Sequence, residues 1–193
     1  MLYRIFDDMT ACSEQEIARL LPLVSPQRRE QALRYTHMFG QFCCLKSYEL
    51  LTQLLVKWGG DNVDKMPEFV YNEHGAPYLE DGPYFSISHC KQGIAVVVSD
   101  QPVGIDIEGM RKVDDGLVRK TMNVEEQAQI AAAANPEQEF IRLWTRKEAY
   151  VKMQGTGIIS DMHEILQNTH ALQWHEIVDI DKGYICTIVT KNE

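Results

Sequence analysis

Positive charge is the plainest shortage in this chain of 193 residues: 19 lysines and arginines face 28 aspartates and glutamates, a formal net charge of −9. A surface of that sign argues against nucleic acid as the main partner, because neutralising a phosphate backbone takes a broad basic face. Eight of these 19 cations stand in adjacent pairs, Arg28 with Arg29, Arg111 with Lys112, Arg119 with Lys120 and Arg146 with Lys147. Such clusters suffice for a small anionic ligand. Cysteine is scarce and badly spaced for metal or cross-links: Cys12, Cys43, Cys44, Cys90 and Cys186 are odd in number and contain no C-x-x-C pair. That spacing suggests neither a zinc site nor a disulfide framework, and Cys43 and Cys44 read as small core hydrophobes. No apolar run is long enough for a bilayer, since the longest, from Phe39 to Trp58, is interrupted by Lys46, Glu49 and Lys57. The first ten residues lack signal-peptide character. These absences together point to a reducing cytoplasm and to no membrane.

What is present is an apolar fraction of 45%, ample for a core. The element order repeats. Leu2–Phe6 reads as a strand; Ser13 with Glu16 and then Ser25-Pro26 open two short helices, the second running to about Tyr35. A long helix over about Gly40–Trp58 ends at Gly59-Gly60. Short extended pieces follow at 68–71 and 76–79, and Tyr84–His89 with Gly93–Ser99 predicts a hairpin. After Asp100-Gln101-Pro102 the series restarts. Val103–Glu108 is a strand, 115–122 and 123–134 are helices, and a long helix opens at Asn135-Pro136 and runs to about Gln154. Strands at 172–179 and 184–190 finish the chain. The expectation is an α+β molecule made of a pseudo-twofold pair of similar halves, residues 1–101 and 102–193, with a ligand cleft between them. No low-complexity linker separates the halves, so they should pack tightly.

Two stretches carry chemistry. In V-G-I-D-I-E, Val103, Ile105 and Ile107 alternate with Gly104, Asp106 and Glu108, so two carboxylates share one strand face. Mg²⁺ favours such oxygen donors, although an acidic outer face alone would look the same. In L-W-T-R-K-E-A-Y-V-K-M-Q-G-T-G, residues 143–157, Glu148 and Lys152 are four apart on one helix face and Lys147 lies about 100° round from Glu148. Gly155 stands where the helix should stop. Trp144 reads as a core anchor orienting that helix.

Phe85-Ser86-Ile87-Ser88-His89, Gly104-Ile105-Asp106-Ile107-Glu108 and Trp144-Thr145-Arg146-Lys147-Glu148-Ala149-Tyr150 with Lys152 and Gly155 together resemble the motif set of the 4′-phosphopantetheinyl transferases. The family patterns are F-x-[IV]-S-H, G-[IV]-D-[IV]-E and W-[ST]-x-K-E-[AS]-[YF]-x-K, and all three occur here in order. The resemblance covers residues 75–157 well, reaches 25–35 loosely and fades beyond about Gln167. The length and repeated order resemble the longer type, which holds two halves in one chain, activates peptide and polyketide synthetases, and is expected to be a monomer.

The resemblance implies transfer of 4′-phosphopantetheine from coenzyme A to a serine of an apo acyl or peptidyl carrier protein, with release of adenosine 3′,5′-bisphosphate. It implies Mg²⁺ held by Asp106, Glu108 and Glu148, with Glu148, Lys152 and His89 as catalytic residues. Arg28, Pro77, Ser88, His89, Lys147 and Lys152 would hold coenzyme A, Arg28 by its 3′-phosphate. Glu148 would also take the serine proton, directly or through water. Three features depart from the pattern: Ala76 precedes Pro77 where a lysine is common, residues 40–47 lack the usual arginine, and Cys90 stands where serine is common. Two other readings of the same residues are a metal-dependent phosphohydrolase and a non-catalytic module that binds coenzyme A or carrier protein.

Overall fold

The computed structural model describes residues 1–59, 66–157, 161–167 and 169–192. The expected helix stop at Gly60 lies outside the described residues. The chain begins with β1 (Leu2–Phe6), α1 (Glu14–Leu20), α2 (Pro26–Leu33) and α3 (Met38–Gly59). Two short strands, β2 (Val70–Tyr71) and β3 (Pro77–Tyr78), precede β4 (Tyr84–Cys90) and β5 (Gly93–Ser99). Then come β6 (Val103–Gly109), α4 (Asp115–Thr121), α5 (Val124–Ala132), α6 (Pro136–Gln154), β7 (Leu172–Asp179) and β8 (Tyr184–Lys191). The fold is α+β.

Local chemistry starts most of the helices. The Ser13 hydroxyl accepts from the Glu16 amide and that of Ser25 from the Arg28 amide, with Pro26 at the first helical position. The Glu16 carboxylate does not return the bond to Ser13; it pairs instead with Arg19 and Lys46. The reciprocal box forms at α5, where Asn123 and Glu126 satisfy each other's amides. Asn135 caps α6, and Gly155 ends it at φ +67, a left-handed conformation that suits glycine.

The sheets repeat one topology. In the first, β1-β5-β4, the opening strand pairs with the last strand of a hairpin; in the second, β6-β8-β7, the same connection recurs. All pairings within them are antiparallel, Ile5 standing opposite Ala95 and Ile105 opposite Ile188. The layers run helices, sheet, sheet, helices. On β5, Ile94, Val96 and Val98 face the core under α1–α3, whereas Ala95 and Val97 join Val103, Ile105, Ile107, Cys186 and Ile188 between the sheets. Burial on both faces explains why this strand is continuously apolar rather than alternating. Each fully buried Val or Ile there adds about 1.5–3 kcal/mol. Cys43, Cys44 and Cys186 are free and buried, as small hydrophobes are.

Between the halves β4 and β6 face each other, each an edge strand of its own sheet. On the other side of β6, α6 presses down without intervening side chains. A Cβ at Gly104 would run into the carbonyl oxygen of Ala149. That close approach delivers the outer face of α6 to the seam between the sheets. Among the described residues no helix is long and apolar enough to cross a membrane.

Candidate active site

A cleft of about 350 Å³ opens at that seam, lined by Ile87, Ser88, His89, Asp106, Glu108, Trp144, Glu148 and Lys152. It adjoins a more apolar hollow of about 320 Å³ that shares Ile87, Glu148 and Lys152 and continues to Pro77, Phe85 and Gly155. A larger hollow of about 720 Å³ lies round α6, lined by Glu126, Leu143, Arg146 and Trp174 among others. There Arg146 is engaged by Glu176 and lies over the Trp174 ring. Size does not mark the chemical site; the convergence of carboxylates does.

β6, α6 and β4 each supply part of the cluster. Asp106 is only 4% exposed. Its Oδ1 accepts from the Ser88 hydroxyl at 2.7 Å and from the Lys152 ammonium at 2.6 Å, while Lys152 also donates to Ser88 Oγ at 2.8 Å. Lys152 therefore makes its ion pair within the second half, with Asp106, and crosses the seam through its bond to Ser88 on β4. Asp106 Oδ2 is buried without a hydrogen-bond partner among the described residues. Glu108, one strand repeat further, pairs with Arg111 at 2.9 Å. Burial, then the nearby Asp106 carboxylate, pushes the Glu148 carboxyl above its ordinary value, with Lys152 opposing and Glu108 adding. His89 sits at the rim with its ring edge-on to Phe39. Partial desolvation, then the Lys152 and Arg28 charges, holds its imidazole below the ordinary histidine value, which favours the neutral form.

Oxygen donors of this kind suit a hard divalent cation. A buried orphan oxygen beside a glutamate whose pKa is raised by burial and by neighbouring carboxylates is the electrostatic signature of a place for positive charge. As the side chains lie, no three of His, Cys, Asp and Glu among the described residues stand close enough to enclose an ion. Lys152 and Arg111 hold two of the carboxylates, so closing on a cation requires side-chain rotation at Glu108 or Glu148.

Lys147 does not belong here, contrary to its expected role on phosphate. Its side chain is fully buried on another face of α6, and its ammonium donates to the Glu126 carboxylate and to the Thr121 and Met162 carbonyls at 2.6–2.9 Å. The step of 100° from Glu148 carries it past the rim into the core. Burial, opposed by Glu126, lowers its pKa. Arg28 is also largely engaged by the protein, donating to the Cys44 carbonyl, Ser47 Oγ and Gln31 while lying over the Phe69 ring. It remains near enough to act electrostatically on His89. Pro77 lines the adjoining hollow, next to Ala76. Trp144 is a core anchor stacked on Phe140 and also walls the cleft.

Sequence reasoning did not single out Asn72, which donates to the Gly155 carbonyl at 2.8 Å and ties the β2–β3 turn to the end of α6. The one available signal was its place at the head of the Asn72–Gly75 turn, which says nothing about a partner 83 residues away.

The sequence profile described as the 4′-phosphopantetheinyl transferase superfamily matches residues 102–189, which contain β6 and α6 with all three carboxylates. Over that stretch the chain is similar to this superfamily. Its similarity to 4′-phosphopantetheinyl transferase Sfp of Bacillus subtilis (strain 168) is 25% identity over 201 residues, covering 95% of this chain and 88% of the relative. That span crosses both halves, as in the longer type of the superfamily. 4′-Phosphopantetheinyl transferase AcpT of Salmonella typhimurium is 41% identical over 98 residues, covering 47% of this chain and 50% of the relative. Among solved structures, holo-[acyl-carrier-protein] synthase of Thermotoga maritima covers 48% of this chain and 63% of that chain at 14% identity and TM-score 0.37, a likeness too slight to build on.

Proposed function

We propose that this protein moves the 4′-phosphopantetheine group of coenzyme A onto a serine hydroxyl of an apo acyl or peptidyl carrier protein and releases adenosine 3′,5′-bisphosphate. The observation that carries the reading is the Ser88–Lys152–Asp106 cluster, with its orphaned Asp106 oxygen, beside a Glu148 whose proton is held unusually well. Bound between Asp106, Glu108 and Glu148, Mg²⁺ would neutralise charge on the pyrophosphate. The carrier serine oxygen attacks the phosphorus bearing pantetheine, the pyrophosphate P–O bond breaks, and the bisphosphate leaves with the electron pair. Glu148, with its raised pKa, is placed to take the serine proton. Lys152 exchanges a share of its bonds to Asp106 and Ser88 for phosphate oxygens, and neutral His89 donates from the rim. Pro77 and the adjoining hollow receive the nucleoside end, and Arg28 supplies positive charge toward the 3′-phosphate. The chain acts as a monomer in the cytoplasm, with residues 1–101 and 102–193 as its two halves and no nucleic acid as partner.

Incubating the protein with coenzyme A, MgCl₂ and an apo carrier protein tests this by mass spectrometry. Transfer adds the phosphopantetheine mass to the carrier. Release of pantetheine phosphate without carrier would indicate a phosphohydrolase, and neither product a binding module. Asp106→Asn and Glu148→Gln each lower transfer by a factor of about 10³ or more, and activity within tenfold of the unaltered protein removes the site assignment. Because Asp106 is buried and bonded, its amide is the milder replacement.

A further inference from the structure

We infer that Ser86 is a positioning residue for the cation site, a reading that rests on the carboxylate site proposed above. The sequence motif F-x-[IV]-S-H leaves the Ser86 position open, so nothing in the family pattern assigns it a role. In the structure it is 7% exposed, and its hydroxyl oxygen accepts from the Ile105 amide at 3.2 Å. That amide belongs to the residue directly before Asp106.

β6 is the edge of its sheet, with β8 as its ladder partner. Every second amide of an edge strand therefore points away from its ladder partner and needs another acceptor when buried. β4 faces that edge, and Ser86 and Ser88, two apart on one face of β4, meet β6 at successive residues. Ser86 takes the Ile105 amide and Ser88 gives its proton to Asp106. From the opposite side the backbone of α6 closes on Gly104. β6 is thus clamped at Gly104 by α6 and at Ile105 by Ser86, immediately before the carboxylate whose Oδ2 is left aimed without a partner. The Ser86 bond fixes the height of β6 in the seam, and with it the place of Asp106 Oδ2.

Groups that orient a ligand from behind change metal affinity by roughly ten- to a hundredfold when removed. Acting one peptide away, Ser86 should sit at the low end of that range. The test is calorimetric titration of the full chain with MnCl₂ or MgCl₂ alone, accompanied by melting curves. Ser86→Ala should bind the cation about tenfold more weakly, and Ser86→Thr, which keeps the hydroxyl, should recover most of the loss. Where the alanine variant does not fold, Ser86→Cys keeps the volume with a poor acceptor and serves in its place. Equal cation affinity in Ser86→Ala and the unaltered protein, with only the melting temperature lowered, overturns the inference and leaves Ser86 a structural bond. The same loss in Ser86→Thr as in Ser86→Ala also overturns it, assigning the effect to packing. Failure of the unaltered protein to take up either cation removes the cation site itself, and the inference falls with it.

Discussion

At the scale of single residues, the two lysines of α6 show how one helical step separates roles. Lys152 reaches the seam, whereas Lys147 is enclosed with Glu126. Glu126 Oε2 also accepts the Asn123 amide, so this oxygen joins the cap of α5 to α6, and the Lys147 ammonium joins both to the Thr121 and Met162 carbonyls. Removing one partner of a buried pair strands the other charge. Lys147→Met should therefore cost about 3–5 kcal/mol in denaturant unfolding, and adding Glu126→Gln should return part of it. Stability within about 1 kcal/mol of the unaltered protein, together with weakened coenzyme A binding, would restore Lys147 to the ligand set.

At the scale of elements, α4 leaves the carboxylate strand through Arg111 and Lys112 and ends on Arg119 and Lys120, both exposed. Basic residues in a last turn also favour the helix dipole, an effect of only about 0.3–1 kcal/mol. Carrier proteins are commonly acidic and this chain is acidic too, so attraction must come from a local patch of this kind. Reversing Arg119 and Lys120 to Glu should raise KM for the carrier by roughly tenfold at low salt and leave KM for coenzyme A unchanged. An unchanged carrier KM would take both residues out of the interface.

At the scale of the molecule, the core between the sheets belongs to both halves. Ile5, Ala95 and Val97 from the first pack with Ile105, Ile107, Cys186 and Ile188 from the second. A shared core couples the halves into one cooperative unit. Trp58 lies against the first core, while Trp144 and Trp174 lie in the second half. Variants retaining only Trp58 or only Trp144 should report the same denaturant midpoint once differences in their own stability are subtracted. Two separated midpoints would show halves that unfold independently.

Much of this was legible in the residues because it is local. Periodicity located the bounds of β1, β5 and β7, side-chain oxygens marked the starts of α1, α2, α5 and α6, and glycine marked the end of α6. The motifs placed Asp106, Glu108, Glu148, Ser88, His89 and Lys152 as one set, and the structure brings them to one cleft. What the sequence could not settle was direction. Spacing puts Lys147 beside Glu148 and Arg28 at a helix start, but whether a cation faces ligand or protein depends on what packs over it. Only the tertiary structure supplied Glu126, Thr121 and Met162 around the first and Cys44, Ser47 and Phe69 around the second. The same holds for β6, whose alternation reads as half-exposed yet is buried on both faces, because α6 covers one and the other sheet covers the second. Periodicity reports which residues share a face; burial is decided by the partner that the face meets.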